Sequence, residues 1–236
     1  VNALSSHLRA EVYRDGNIYK QEYKEGKPVT EVEKVGETAE SGTLIHFQPD
    51  TKIFDSIVYN RNTLITRLRE LSFLNRGLKL IIVDEREEED GQFFTKEFLS
   101  EGGLTEFVEF LDESKSPLIE NPIHVEGKEE NVEVEVAMHY NTSYAENIHS
   151  YVNNINTREG GTHVNGFRRA ITRVFKNYGE ENGLFKKLKF TVSGDDFKEG
   201  LTAVVSVKVP EPQFKGQTKG ELGNSEVTGI VSRSVG

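Results

Sequence analysis

Leu8, Ala10 and Val12 alternate with Arg9, Glu11 and Tyr13, the two-residue period of a strand with one buried face. Asp15-Gly16 follows, a strong hairpin signal, and residues 18–23 are predicted to return as the partner strand. Gly26-Lys27-Pro28 turns the chain again. Residues 30–35 and 43–48 read as further strands, with Gly36 and Gly42 as breaks. This opening stretch is therefore expected to be an antiparallel meander. From Asn62 the period lengthens: Leu64, Leu68 and Leu71 recur at helical spacing up to Leu74, and Gly77 closes the helix. Residues 78–83 read as a strand, residues 84–91 (DEREEEDG) as a solvated charged loop, and residues 93–98 as the returning strand. Gly102-Gly103 precedes a helix built on Leu104, Phe107, Val108 and Leu111, and this glycine pair is the expected domain boundary.

The second half opens with strands near Ile123 and over residues 132–140, joined by a polar turn at residues 126–130. Residues 147–154 are strand-like and Gly160-Gly161 is a tight loop. Thr162 reads as the N-cap of a helix running to about Tyr178, with Val164, Phe167, Ile171, Val174 and Phe175 on one stripe. Gly194-Asp195-Asp196 reads as a turn, and residues 201–209 as a well-buried strand ended by Pro210 and Pro212. Residues 222–231 form the last predicted helix. The class is α+β, in two units.

The chain has 236 residues, enough for one large domain or two modest ones, and carries 29 Lys+Arg against 39 Asp+Glu, a formal net charge of -10. Bulk electrostatics oppose nucleic acid and anionic membranes, so any DNA contact must come from a local basic patch. The absence of cysteine removes disulfides, thiolate metal ligands and a cysteine nucleophile, and fits a reducing cytoplasm. No apolar run reaches transmembrane length. The first residue is Val1 and strand character begins at about residue 8, so a preceding N-terminal portion is expected.

The six histidines never pair at HxxxH or HxH spacing, so no metal site is expected. Asp195-Asp196 beside glycine reads as a turn cap more readily than as a carboxylate pair. Three stretches carry more. The amide-rich run Asn153-Asn154-Ile155-Asn156-Thr157-Arg158-Glu159-Gly160-Gly161-Thr162-His163 indicates either a loop held by side-chain hydrogen bonds or a functional segment. Gly216-Gln217-Thr218-Lys219-Gly220 puts a lysine on a glycine-flanked loop, where three donors can reach an anion; composition alone makes it an ordinary surface lysine. Arg169, Arg173 and Lys176 share a helix face beside Arg168, which fits either solvent or phosphates.

These stretches, together with Val1-Asn2-Ala3-Leu4-Ser5, Arg67-Leu68-Arg69-Glu70-Leu71-Ser72-Phe73-Leu74-Asn75 and Leu222-Gly223-Asn224-Ser225-Glu226-Val227, resemble the DNA gyrase B family in family order across essentially the whole chain. Its members are the ATPase subunits of a bacterial type II topoisomerase. The matching component of topoisomerase IV is a close alternative. A non-catalytic DNA or protein clamp that keeps the fold is another. The resemblance implies that residues 1–101 are the later part of a GHKL-type ATPase sandwich and residues 102–236 a transducer domain with a ribosomal-protein-like βαβ fold. It implies ATP and Mg2+ as cofactors, with DNA and the gyrase A protein as partners, in a cytoplasmic enzyme that drives negative supercoiling. By the same resemblance Gln217 and Lys219 reach the γ-phosphate, Lys219 in a catalytic role. Thr43 helps read the adenine, Arg14 lies on the rim of the inhibitor pocket, and Arg168 and Arg169 face the transported DNA. The family's catalytic glutamate, its magnesium-binding asparagine and its dimerisation arm fall upstream of the segment matching Val1. The segment alone is therefore expected to be inactive and to lack the clamp's dimer contact.

Overall fold

Five two-residue turns, each with both residues in the left-handed region, set the hairpins of this chain. In the computed structural model they fall at Asp15-Gly16, Glu25-Gly26, Asp90-Gly91, Glu130-Asn131 and Asn153-Asn154, with φ between +49° and +83°. This turn geometry matches the right-handed twist of paired strands. The structure describes residues 1–236, apart from the side chains of Glu89 and Lys187. By internal contacts the chain forms two units, residues 1–61 and 62–236.

The first unit contains β1 (Ser5–Arg14), β2 (Asn17–Lys24), β3 (Lys27–Pro28), β4 (Glu33–Glu37) and β5 (Gly42–Pro49). It is not the expected meander. Both β3 and β4 pair with the outer edge of β2, and β5 crosses back to pair with β1, giving a Greek-key order. With the outer edge of β2 already occupied, the free ladder of β1 is where β5 finds hydrogen bonds. Gly36 lies inside β4, opposite Ile18 at a register shift, and does not break the strand. Leu8, Ala10 and Val12 face the same side as their partners Phe47, Ile45 and Thr43. Among the described residues of this unit only Ser5, Leu8 and Asp50 are buried, while Val12, Ile45 and Phe47 are 37%, 48% and 41% exposed.

The second unit begins with α1 (Arg61–Leu74, its first residue at the junction), β6 (Leu80–Glu89), β7 (Gln92–Phe98) and α2 (Leu104–Leu111). The acidic stretch at residues 84–91 is a hairpin rather than a loop. Strand pairing continues to Glu89↔Gln92 past an irregularity between Asp84 and Glu88. Then come β8 (Ile123–Glu129), β9 (Val132–Tyr140), β10 (Asn147–Val152), β11 (Ile155–Asn156), β12 (Gly160–Gly161), α3 (Thr162–Glu181), β13 (Leu201–Lys208), β14 (Glu221–Leu222) and α4 (Ser225–Val235). The turn expected at residues 126–130 is strand to Glu129, and Glu130-Asn131 makes the reversal. Gly161, not Thr162, is the N-cap of α3, which runs on to Glu181. Leu222 belongs to β14, and the last helix starts three residues later at Ser225.

The main sheet has the order β11-β10-β13-β9-β8, and β10 runs parallel to β13. A parallel pair needs a crossover, and α3 lies in it, so the unit contains a βαβ motif. Leu201, Ala203, Val205 and Val207 pack with Phe167, Ile171, Val227, Ile230 and Val231 of α3 and α4. Val204 joins Phe107, Val108, Leu74 and Tyr151 in a second cluster. With both faces covered, residues 201–207 are all buried, which is why β13 reads as an almost unbroken apolar run.

Candidate functional site

The segment leaving β13 is pinned at both ends by asparagine side chains. Asn153 accepts the Val209 N–H through Oδ1 and donates to the Val209 carbonyl through Nδ2, both at 2.8 Å. Asn224 accepts the Gln213 N–H at 2.6 Å and donates to the Glu211 carbonyl and the Glu226 carboxylate. Between these pins the chain folds on itself. Phe214 bridges Leu222, Lys215 N–H donates to the Glu221 carbonyl at 2.9 Å, and Gly223 N–H donates to the Gln213 carbonyl at 2.7 Å. At the tip Gln217, Thr218 and Lys219 are exposed, as are Gln213, Lys215 and Gly216 before them, while Gly220 behind them is buried. Lys219 has φ +56°, and its Nζ lies 5.9 Å from the centre of the Phe214 ring. The cation thus stands on a short tip whose base is bonded backbone to backbone.

The amide-rich run lies directly beside this tip. Glu159 N–H donates to the Gly220 carbonyl at 3.0 Å. Arg67 of α1 donates to the Asn154 carbonyl at 2.6 Å, and Asn154 donates to Asn75 Oδ1 at 2.9 Å. A polar cleft of about 820 Å³ results, with Arg67, Glu70, Asn156, Arg158 and Thr218 among its lining residues. Two motifs distant in sequence thus form one wall. Composition gave no sign of this, because it depends on β12 pairing with β14.

Beneath the run lies a buried polar chain. Thr157 donates to the Ser150 carbonyl at 3.0 Å, and its Oγ1 is 3.1 Å from His163 Nε2. Burial pushes the His163 imidazole down to about 4. A second buried network sits where α2 ends. Asp112 accepts from Thr202 at 2.6 Å, Asn141 at 3.0 Å and Lys115 at 3.1 Å. Burial alone would raise the Asp112 carboxyl, but these donors outweigh it and hold it below the usual range. The sequence reading missed this network, whose members come from three separate stretches of the chain.

The basic face of α3 opens on a groove of about 580 Å³ between α3 and α4. Arg168 is bound in two-pronged fashion by Glu146 at 2.7 and 2.9 Å. Arg173 donates to the Ser232 carbonyl, and Arg233, a groove residue not foreseen, is clasped by Glu129. Arg169 is exposed and makes no ion pair among the described residues. In the first unit, Thr43 lies opposite Val12, on the face and toward the strand end that carry Arg14. Arg14 is 76% exposed, with Asp15 at 3.4 Å. Asp195 pairs with Lys198 and Asp196 accepts the Ser193 N–H, so this carboxylate pair caps a turn. His124 lies 3.1 Å from Glu135 and 3.7 Å from Glu126 on an exposed strand face, a closeness that the hydrogen bond to Glu135 explains.

A family model described as DNA gyrase B matches residues 103–236. The chain belongs to the DNA gyrase B family. It is 54% identical over its whole length to the DNA gyrase B protein of Eisenibacter elegans, covering 49% of that protein. It is 55% identical to the DNA gyrase B protein of Chitinophaga japonensis, covering 50% of it. The chain thus spans about half the length of the curated relatives it matches. Among solved structures it resembles the 43K ATPase domain of Thermus thermophilus gyrase B in complex with an aminocoumarin, with TM-score 0.84 and 36% identity. It also resembles the topoisomerase IV ATP-binding domain of Francisella tularensis in complex with a small-molecule inhibitor, with TM-score 0.81 and 31% identity. The match covers 99% of this chain and 62% of the structure in each case. The mixed α/β architecture is that of the gyrase B ATPase region. No helix among the described residues is long and apolar enough to cross a membrane.

Proposed function

We propose that this chain is the nucleotide-sensing part of the ATP-hydrolysing component of a bacterial DNA gyrase. In this reading residues 1–101 close the ATP-binding domain and residues 102–236 are the transducer. The observation that carries it is the loop of residues 213–223: its base is fixed by backbone bonds, and it presents Gln217 and Lys219 on an exposed tip. Charge spreads over the γ-phosphate oxygens as phosphoryl transfer proceeds, and a positioned cation stabilises it. ATP offers that contact and ADP does not, so Lys219 reports nucleotide state by differential affinity. Mg2+ and the general base belong to residues outside this segment, which by itself turns nothing over. Thr43 and Arg14 contribute to the adenine pocket and its rim. Arg169, with Arg168 behind it, meets the DNA that passes through the enzyme. The gyrase A protein and a second copy of the gyrase B protein complete a cytoplasmic assembly. The gyrase B relatives favour supercoiling over the topoisomerase IV alternative.

The test separates binding from turnover in the full-length gyrase B protein carrying this sequence. Lys219→Ala is expected to keep nucleotide affinity within a small factor and to slow ATP hydrolysis by about 10- to 1000-fold. Gln217→Ala acts in the same direction and more weakly, since a neutral donor stabilises less charge. Turnover at the parent rate in Lys219→Ala would make the lysine an ordinary surface residue.

A further inference from the structure

The lysine loop and helix α3 touch through backbone. β12 runs parallel to β14, with Gly160 opposite Glu221 and Gly161 opposite Leu222. Gly161 is at the same time the N-cap of α3. Its φ is +128°, and a Cβ there would lie 2.4 Å from both the nitrogen and the oxygen of Leu222, so only glycine lets the two segments meet. Leu222 itself is fully buried in the main core. One residue earlier Glu159 N–H holds the Gly220 carbonyl, and a Cβ on Gly220 would come within 3.0 Å of Glu159 Oε1. On the other side of the helix start, Thr228 Oγ1 donates to the Thr162 carbonyl at 3.1 Å. Gly166 lies so close to Thr228 that a Cβ would approach its carbonyl to 2.6 Å. The first turns of α3 are therefore wedged between the exit strand of the lysine loop and α4. Arg168 and Arg169 follow about two turns along the same helix.

We propose that residues 159–161 are the positioning element of the lysine loop: they seat its exit strand and pass movement of the Gln217–Lys219 tip into α3, and so to the face carrying Arg168 and Arg169. Close-packed backbone contacts shift as units rather than yielding gradually, so a small displacement at the tip is not absorbed on the way. Glu159 and Gly161 act here through the loop and do not touch the reacting atoms. Their purpose rests on the reading of Lys219 as the sensor; the mechanical link itself does not.

Lys219→Gly relieves the positive φ at the tip and lies away from α3. In the isotope-labelled chain it is expected to shift amide resonances of the first two turns of α3, through Arg169, as well as those of the loop. Gly220→Ala, pressing a methyl group on the flexible Glu159 carboxylate, is expected to do the same. Shifts confined to residues 214–222 in both variants would overturn the link. In the full-length protein Gly161→Ala is expected to retain nucleotide binding and lose DNA stimulation of ATP turnover, whereas unchanged stimulation contradicts the proposal. If Gly161→Ala does not fold, the two loop variants still decide. The sensor reading fails separately, by normal turnover in Lys219→Ala, even where the tip is found to move α3.

Discussion

His163 is fully buried, and among the described residues its Nδ1 has no hydrogen-bond partner and its Nε2 meets the Thr157 hydroxyl. Because Thr157 already donates to the Ser150 carbonyl, its lone pairs are left to accept from Nε2–H, which suits a neutral ring. With burial pushing the imidazole from 6.5 down to about 4, the unfolded chain binds the proton more readily than the folded one. The contribution to stability is therefore fully present above about pH 6.5 and is lost as pH falls through about 4. The difference amounts to on the order of 3 kcal/mol. Urea unfolding of the wild type between pH 7 and pH 4 should show this loss, and His163→Gln should be less stable at pH 7 with a shallower decline. Parallel declines would show that another group carries the acid sensitivity. The burial of this residue was only partly legible. His163 stands four residues before Phe167, on the apolar stripe of α3, but a histidine after Gly-Gly reads from sequence as a loop residue. Lys219 differs in kind: the role proposed for it comes from the family motif, while its positive φ and its exposure over a bonded base come only from the fold.

Helix α3 links the loop of residues 213–223 to a basic face, and its cations are not equivalent. Arg168 is already satisfied by Glu146, whereas Arg169 projects unpaired beside the groove to α4. Replacing both by alanine in the full-length protein, assembled with the gyrase A protein, is expected to weaken DNA-stimulated ATP turnover and leave basal turnover nearly intact. Each lost phosphate contact lowers the salt slope of DNA binding by about one unit, and Arg169→Ala alone should give most of that change. An unaltered slope would make this a solvated face. Sequence located α1, α2, α3, β5, β9 and β13 closely: the helices and β9 through the spacing of their apolar positions, β13 through an apolar run bounded by proline. Those it misplaced have other causes. The hairpin at residues 84–91 is stabilised by ladder pairing despite its charge, and Glu130-Asn131 adopts a tight turn without the usual glycine. The return of β5 to β1 is a long-range pairing that no local pattern encodes.

Taken as one polypeptide, the chain has two unequal parts. Residues 62–236 contain two buried clusters, while residues 1–61 bury only Ser5, Leu8 and Asp50 among their described residues and leave an apolar sheet face half exposed. The family match covers residues 103–236, and the chain spans about half the length of its curated relatives. A polypeptide of residues 1–236 alone is accordingly expected to show no Mg2+-dependent ATP hydrolysis in a phosphate-release assay, and measurable turnover would contradict the proposed division of labour. The sensing role itself is tested most directly by amide hydrogen exchange on the full-length protein, saturated either with ADP or with an ATP analogue that cannot be hydrolysed. The amides of residues 216–220, and with them the first turn of α3, are expected to slow their exchange with the analogue and not with ADP. Equal protection in the two nucleotide states would show that this loop does not read the terminal phosphate.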